Sequence, residues 1–334
     1  MSNTKKIGIA IFIALVGVIL VKYVSATDFS LMVEYLVAAP AVIPVLIAVS
    51  LAGHMVGTIA WRMVMAEEAD KVSLGELFFF RLICENLAVF NPTNVIVGDG
   101  LKGVFLDRKQ VSTQANVASV LLSRVLLIVA AIILIVTSIV YLAATAILEL
   151  PIAGIGLLVV LSIAFVIGLL SFLLHKDLYL YRLASRLHHT RLGKWISVKR
   201  VAHIRDINEQ LCSFYRQHKF KLSGALLMSV LHWVCGALEF YFILRFFDMP
   251  VSILDAVVIE MGVLGFKAAG SMVPGQIGVE EYGNKVMLNL AGILSNEIWL
   301  TVSLLRRGRQ VFWLLVTAPA SIILYRKYKV TPTA

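Results

Sequence analysis

Residues 272–281, MVPGQIGVEE, interrupt an otherwise apolar part of the chain with a proline, two glycines and two carboxylates. A related stretch, residues 90–100 (FNPTNVIVGDG), comes earlier and again combines a proline with glycines and a carboxylate. Apolar segments broken by Gly and Pro at corresponding positions of two halves indicate a transport site near the middle of a membrane. We therefore read the chain as two halves built around these broken elements.

The same distance separates each of these prolines from an arginine further along the chain. Arg124 stands 32 positions after Pro92, and Arg306 stands 32 positions after Pro274. Both arginines lie in long apolar segments, where a charge is costly unless it is paired or hydrated. We expect this repeated arrangement to mark the functional site.

The composition indicates a membrane protein. Hydrophobic residues fill 60% of the 334 positions and charged residues only 15%, and several apolar runs reach roughly 18 residues or more, enough to cross a bilayer. The net charge is +10, but the basic residues concentrate between apolar runs, as in the cytoplasmic loops of membrane proteins. We therefore expect no nucleic-acid partner. The three cysteines are isolated, which predicts neither a disulfide framework nor a metal site.

The order of apolar and basic segments predicts an all-α, polytopic integral membrane protein that forms a single membrane domain over residues 1–334. The apolar run 7–21 is read as an uncleaved first span in preference to a signal peptide, because no small-residue cleavage site directly follows it. Five further runs have the length of a span: 38–65, 117–148, 152–174, 222–247 and 298–324. The basic ends then place both termini on the cytoplasmic side of the inner (cytoplasmic) membrane.

The two broken elements are predicted to be re-entrant helical hairpins, because each apolar half is too short for a full crossing. The first hairpin, 74–106, starts and ends on the cytoplasmic side, and the second, 253–294, starts and ends on the outer side. Irregular backbone at this depth is tolerated only where protein or water covers it. Because the hairpins open in opposite directions, the halves 1–174 and 222–334 are predicted to be inverted repeats.

A basic segment, 175–221, separates the two halves. It carries eleven Lys or Arg against three acids, and five of the seven histidines. This composition predicts amphipathic helix lying on the cytoplasmic leaflet, where anionic lipid attracts it. His188 and His189 lack the HExxH pattern of a zinc site, and Walker and GxSxG motifs do not occur in the sequence. We expect no cofactor, no metal and no enzyme activity.

Charged residues within apolar segments are the candidate site residues. They are Arg81, Glu85, Asp99, Lys102 and Arg124 in the first half, and Glu239, Glu260, Lys267, Glu280, Glu281, Lys285, Arg306, Arg307 and Arg309 in the second. Arg81 and Glu85 stand four positions apart and are equally well explained as a local ion pair. Asp99 and Arg124 are better candidates, because one follows the break and the other lies in the next span.

Two interpretations of the arginines in the last span remain open. An Arg side chain can hold a phosphate through two hydrogen bonds, and a helix that starts after Gly275 would direct N–H groups toward an anion. On this interpretation Arg306 and Arg307 bind an anionic or phosphate-bearing lipid head group. On the other interpretation the arginines neutralise Glu280 and Glu281 and hold the hairpin closed.

These motifs resemble those of the flippase-like membrane domain of lysylphosphatidylglycerol synthetases, and the resemblance covers nearly the whole chain. The matching residues are Asn91, Pro92, Gly98, Asp99 and Arg124, then Pro274, Gly275, Gly278, Glu280 or Glu281, and Arg306. In the family pattern the acid directly follows Gly-Val, which favours Glu280 and leaves Glu281 as an extra acid. With Arg307, these residues form the predicted substrate-binding set.

The resemblance implies movement of a lipid between leaflets. The full synthetases carry a soluble C-terminal domain that attaches an amino acid to phosphatidylglycerol, and this chain, ending at Ala334, is expected to lack it. We expect a flippase or transporter of a phospholipid or a polyprenyl-phosphate-linked glycolipid in a bacterial or archaeal cell membrane. Membrane lipids are its expected partners, with envelope-biosynthesis enzymes and a second copy of the chain as further candidates.

Two other functions remain open. The chain could be a non-transporting partner subunit of a cell-envelope lipid or glycan assembly that docks through the basic segment 175–221. It could also be a membrane-embedded lipid-modifying transferase, with Asp99, Glu280 or Glu281 as general base. Co-purification with a synthase would favour the partner subunit, and conversion of a lipid by the purified chain would favour the transferase.

Overall fold

A computed structural model describes most of the chain, and its described residues are helical without a β-strand. These residues are 40–89, 94–145, 151–175, 178–188, 198–271 and 278–327, together with 34, 37, 273 and 276. The predicted first span, 7–21, lies outside them.

The described helices are numbered here in chain order. They are α1 (Val42–Val64), α2 (Leu74–Val89), α3 (Asn94–Asp107), α4 (Thr113–Ala144), α5 (Ile152–Leu174), α6 (Tyr179–His188), α7 (Val198–Gln217), α8 (Lys219–Phe246), α9 (Ile253–Ala269), α10 (Val279–Leu290) and α11 (Asn296–Lys327). A 3₁₀ helix, Ala66–Lys71, lies between α1 and α2.

Four of the described helices, α1, α4, α5 and α8, are long and apolar enough to cross a membrane. Helix α5 shows why a bilayer is needed. Its surface exposes large apolar side chains, among them Leu157, Val160 and Phe165, each more than half exposed. An apolar surface of this extent is stable only when lipid or protein covers it. The chain is therefore a membrane protein, as its composition predicts.

Helix α11 corresponds to the predicted last span, but it is not among these four helices. It contains 32 residues, which is long enough for a crossing. Its middle contains three arginines, Arg306, Arg307 and Arg309, which make the helix less hydrophobic. Its passage through the membrane stays a prediction.

The chain divides into two compact units. Unit 1 comprises Met1–Ala52, Leu82–Gly98 and Val234–Ala334, and unit 2 comprises Gly53–Arg81 and Asp99–Trp233. In unit 1, α9 packs against α10, and α10 packs against α11. In unit 2, α4, α5, α6 and α7 pack against one another, with α7 contacting each of the other three.

Two glycines allow α9 and α10 to lie close together. A Cβ atom on Gly283 would lie 3.0 Å from the Cβ of Phe266, and a Cβ on Gly270 would collide with the side chain of Val279. Larger residues at either position would push the two helices apart. The apolar halves of the predicted second hairpin therefore form a packed helix pair in unit 1.

Side chains of α7 attach this helix to the end of α5. They form hydrogen bonds with carbonyls of the last turn of α5, because those carbonyls have no partner within the helix. Asn208 is fully buried, and its Nδ2 donates to the carbonyl of Leu173 over 2.9 Å. Its Oδ1 accepts from the backbone N–H of Tyr181 over 3.3 Å. The Sγ of Cys212 lies 3.1 Å from the carbonyl of His175, and burial raises the pKa of this thiol.

Replacing Asn208 by Ala tests this attachment. The variant leaves the Leu173 carbonyl and the Tyr181 N–H without their partner, and we expect a loss of about 1–3 kcal/mol in stability. Thermal unfolding of the purified full chain in detergent measures it. The matched control is Gln210→Ala, which removes an exposed side chain from the same helix. Equal melting temperatures for the two variants would contradict the attachment.

Candidate functional site

A cluster of ionised side chains is buried in unit 1, with Arg306 of α11 at its centre. Arg306 is 3% exposed, and its Nη1 donates to Oε2 of Glu260 on α9 over 2.9 Å. Its Nε lies 3.7 Å from Oε1 of Glu280 on α10 and 3.9 Å from Oε2 of Glu239 on α8. All three carboxylates are buried. One guanidinium is thus enclosed by acids from three other helices.

Two residues of α8, Phe240 and Gly236, complete this enclosure. The guanidinium of Arg306 lies 4.1 Å from the ring centroid of Phe240, within the range of a cation–π interaction. Gly236 leaves room for Glu260, because a Cβ at that position would lie 3.0 Å from Oε1 of the carboxylate. The side of α8 that faces Arg306 in unit 1 therefore combines a glycine, an aromatic ring and an acid.

Arg307 and Lys267 lie on the more accessible side of the cluster, with side chains 23% and 27% exposed. The Nε of Arg307 donates to Oε1 of Glu281 over 2.7 Å, and its Nη1 lies 3.4 Å from Oε2 of Glu280. The Nζ of Lys267 lies 3.8 Å from Oε1 of Glu280. Both cations are therefore neutralised by acids at the start of α10.

The GVEE part of the sequence explains why the two adjacent acids have different contacts. Gly278 has a φ of +79°, a left-handed conformation that favours glycine. Its N–H donates to Oε2 of Glu281 over 2.7 Å, so Glu281 caps α10, where the helix dipole also favours a carboxylate. Glu280 is directed into the cluster, and its Oε2 accepts from Nε2 of Gln310 over 3.2 Å.

The cluster is electrically balanced. Its ion pairs join four acids to four bases: Glu239, Glu260, Glu280 and Glu281, with Lys267, Arg306, Arg307 and Arg309. Four buried atoms of the cluster still have no hydrogen-bond partner among the described residues: Oε2 of Glu239, Oε1 of Glu280, Nε of Arg306 and Nε of Arg309. Buried polar atoms without a hydrogen-bond partner are uncommon in proteins. The cluster therefore balances its charges without using all of its hydrogen-bonding capacity.

A smaller cluster lies in unit 2. Arg124 of α4 binds Asp99 of α3 through two hydrogen bonds, Nε to Oδ2 over 3.1 Å and Nη2 to Oδ1 over 2.9 Å. The Nζ of Lys102 donates to Oδ1 of the same carboxylate over 3.2 Å and lies 5.4 Å from the ring centroid of Trp61. One carboxylate is thus shared by two cations, and the candidate site residues Asp99 and Arg124 are in direct contact.

The structure brings together those predicted site residues whose side chains it describes, within their own units. In unit 2 these are Asp99 and Arg124, and in unit 1 they are Gly278, Glu280, Glu281, Arg306 and Arg307. Of Gly98 only the helical backbone is described, and Asn91, Pro92, Pro274 and Gly275 lie outside the described residues. Substrate binding at all of these residues stays a prediction.

Four residues of the unit 1 cluster were candidates in the sequence but were left out of the predicted substrate-binding set. They are Glu239, Glu260, Lys267 and Arg309. The available signal was the position of Glu239 and Glu260 inside apolar helices, where an acid without a cationic partner is costly. The spacing of the sequence did not show that Glu239 and Glu260 share Arg306 as a partner.

A family model described as "Lysylphosphatidylglycerol synthase TM region" matches residues 7–318. The chain belongs to this family. Both charge clusters lie within the matched lysylphosphatidylglycerol synthase TM region, and the resemblance noted in the motifs is confirmed. The family places the protein among membrane proteins of lipid-related processes. Searches of curated proteins and of solved structures found no match.

Replacing Arg306 by Met tests whether the enclosed cation holds unit 1 together. The variant removes the ion pair of Glu260 and leaves the cluster with one uncompensated buried negative charge, and we expect a loss of about 3–5 kcal/mol in stability. Thermal unfolding of the full chain in detergent measures the change. The control is Arg245→Met, at an exposed arginine near the end of α8. A melting temperature no lower than that of the control would show that the acids do not depend on Arg306.

Proposed function

We propose that the protein moves an anionic lipid between the leaflets of a cell membrane, and that the lipid's head group binds at Arg307 and Lys267. The observation that carries this proposal is the division of the unit 1 cluster into two sides. Arg306 is enclosed by three carboxylates, whereas Arg307 and Lys267 are about one-quarter exposed. A head group that approaches the cluster meets these two cations first. Membership of a lipid-related family supports the choice of substrate.

The head group binds by replacing carboxylates. A cation left alone in hydrocarbon costs several kcal/mol, so Glu280 and Glu281 neutralise Arg307 and Lys267 until the lipid arrives. A phosphodiester offers oxygen atoms comparable to those of a carboxylate, and Arg can hold two of them at once. The phosphodiester therefore keeps both cations paired while it takes the place of the acids.

Both displaced carboxylates keep a second partner. Glu281 retains the N–H of Gly278 at 2.7 Å, and Glu280 retains Arg306 at 3.7 Å and Gln310 at 3.2 Å. Neither acid is therefore left unpaired when the head group binds. When the lipid leaves, the acids return to Arg307 and Lys267, and the cluster regains its balance.

The finer architecture belongs to the same proposal. The packed pair of α9 and α10 supports a re-entrant hairpin in the second half. In unit 2 the rings of Phe80 on α2 and Phe105 on α3 stack with centroids 4.7 Å apart, which supports a hairpin in the first half. We propose that these hairpins belong to inverted repeats in the cell inner membrane, with both termini cytoplasmic. The Asp99–Arg124–Lys102 cluster is the corresponding head-group site of unit 2.

Lipid exchange in proteoliposomes tests the proposal. Vesicles that contain the protein and trace NBD-labelled phosphatidylglycerol are treated with dithionite, which quenches only the outer leaflet. We expect the full chain to accelerate exchange of phosphatidylglycerol, or of a polyprenyl phosphate in a parallel series, over that of phosphatidylcholine. Arg307→Ala should slow this exchange about tenfold or more, since the loss of a charge-assisted contact of roughly 1.4 kcal/mol or more changes a rate by that factor.

Arg245→Ala is the matched control, because it removes an exposed arginine of unit 1 outside the cluster. It should leave the exchange rate unchanged. Arg307→Ala should remain folded, since Glu280 and Glu281 keep the partners named above. Exchange of phosphatidylcholine at the same rate, or a folded Arg307→Ala protein with full activity, would contradict binding of the head group at Arg307.

A further inference from the structure

Unit 2 contains a cavity of about 610 Å³ between the end of α1, the first turns of α4 and the second half of α7. Its volume lies within the range of small-molecule binding sites, roughly 300–1,000 Å³. None of its lining residues belongs to the two charge clusters described above. The proposed head-group sites therefore do not account for it.

The floor of the cavity is apolar. It is formed by buried side chains from three elements, with Val64 from α1, Ala118 and Leu122 from α4, and Leu211 and Phe214 from α7. These side chains are at most 8% exposed. A floor of this kind accommodates hydrocarbon or an aromatic ring.

The rim of the cavity is acidic. Four carboxylates line it, and no Lys or Arg is found among its described lining residues, although the chain has 30 Lys and Arg against 20 acids. The carboxylates are Glu67, Glu68, Asp206 and Glu209. The amides of Gln114, Gln210 and Gln217 and the hydroxyl of Ser213 add uncharged hydrogen-bonding groups. The lining thus favours a cation that can also donate hydrogen bonds.

The ion pairs that Glu209 and Glu67 form at the rim can be exchanged at low cost. Glu209 pairs with Arg205 at 2.8 Å, but both side chains are about half exposed. Glu67 is 82% exposed, and its contacts with His218 and Lys221 are long, at 3.6 and 3.9 Å. Exposed pairs of this kind contribute little to stability. A ligand cation can therefore compete for the same carboxylates.

We propose that this cavity binds an amphiphilic organic cation. A protonated amine would meet Asp206, Glu209 and Glu67 at the rim, while an apolar group of the same molecule lies on Leu122 and Phe214. The preference for a cation is opposite to that of the proposed head-group site in unit 1. This inference does not rest on the proposed function.

Binding of dansylcadaverine tests the inference, because this probe joins a primary amine to an aromatic fluorophore whose emission rises when water is removed. The full chain in uncharged detergent is titrated, and the signal from protein-free micelles is subtracted. We expect saturable binding of dansylcadaverine and at least tenfold weaker binding of dansylglycine, which carries a carboxylate in place of the amine. Absence of saturable binding, or equal binding of both probes, would overturn the proposal.

Variants then locate the bound probe. The double variant Asp206→Asn/Glu209→Gln should weaken dansylcadaverine binding about tenfold or more, since charge-assisted contacts are lost. Ala118→Phe should abolish binding by filling the floor. Asp70→Asn removes an exposed carboxylate outside the cavity, and it should leave the affinity unchanged.

The rim variants replace exposed side chains and should fold normally, so they remain informative even if Ala118→Phe does not fold. Arg307→Ala should keep full affinity for the probe, which separates this site from the head-group cluster. Unchanged affinity in the folded double variant, or loss of affinity in Asp70→Asn equal to that in the double variant, would place the probe elsewhere and overturn the proposal.

Discussion

The burial of Arg306 in an apolar helix is the constraint on which unit 1 depends. A guanidinium at 3% exposure is tolerated only when acids surround it. Its partners Glu239, Glu260 and Glu280 come from three different helices, so pairing the charge also determines which helices lie beside α11. In a membrane, apolar contacts alone specify such an arrangement weakly, because lipid chains are as apolar as the side chains they would replace. The ion pairs provide this specificity.

The two sides of this cluster differ in how far they are enclosed. On the enclosed side, Arg306 and its acids hold the helices together. On the accessible side, Arg307 and Lys267 contact acids that each have a second partner, the N–H of Gly278 for Glu281 and Arg306 for Glu280. The two interpretations that the sequence leaves open, a lipid site and a structural lock, are therefore compatible if each applies to a different side of the cluster. We propose that the accessible side binds the lipid.

Local features of the sequence predicted much of the fold. The predicted span 152–174 coincides with α5, because its length and its apolar character depend only on neighbouring residues. The interruption between α9 and α10 was predicted from Pro and Gly for the same reason, whereas the predicted break at 90–93 lies outside the described residues. The partners of the charges could not be predicted, since they depend on which helices pack together. The capping role of Glu281 also required the left-handed backbone of Gly278, which spacing does not show.

The most direct test of this account measures how tightly a short-chain phosphatidylglycerol binds the Glu280→Gln variant. Calorimetric titration of the full chain in uncharged detergent compares this variant with the unmodified protein. If Glu280 occupies the cations that the head group binds, the substitution removes a competitor for them and leaves the cluster with one excess positive charge. The dissociation constant of the phosphatidylglycerol should therefore fall several-fold. An unchanged or weaker affinity in the folded variant would show that Glu280 only holds the helices together, and the exchange of carboxylate for head group would be wrong.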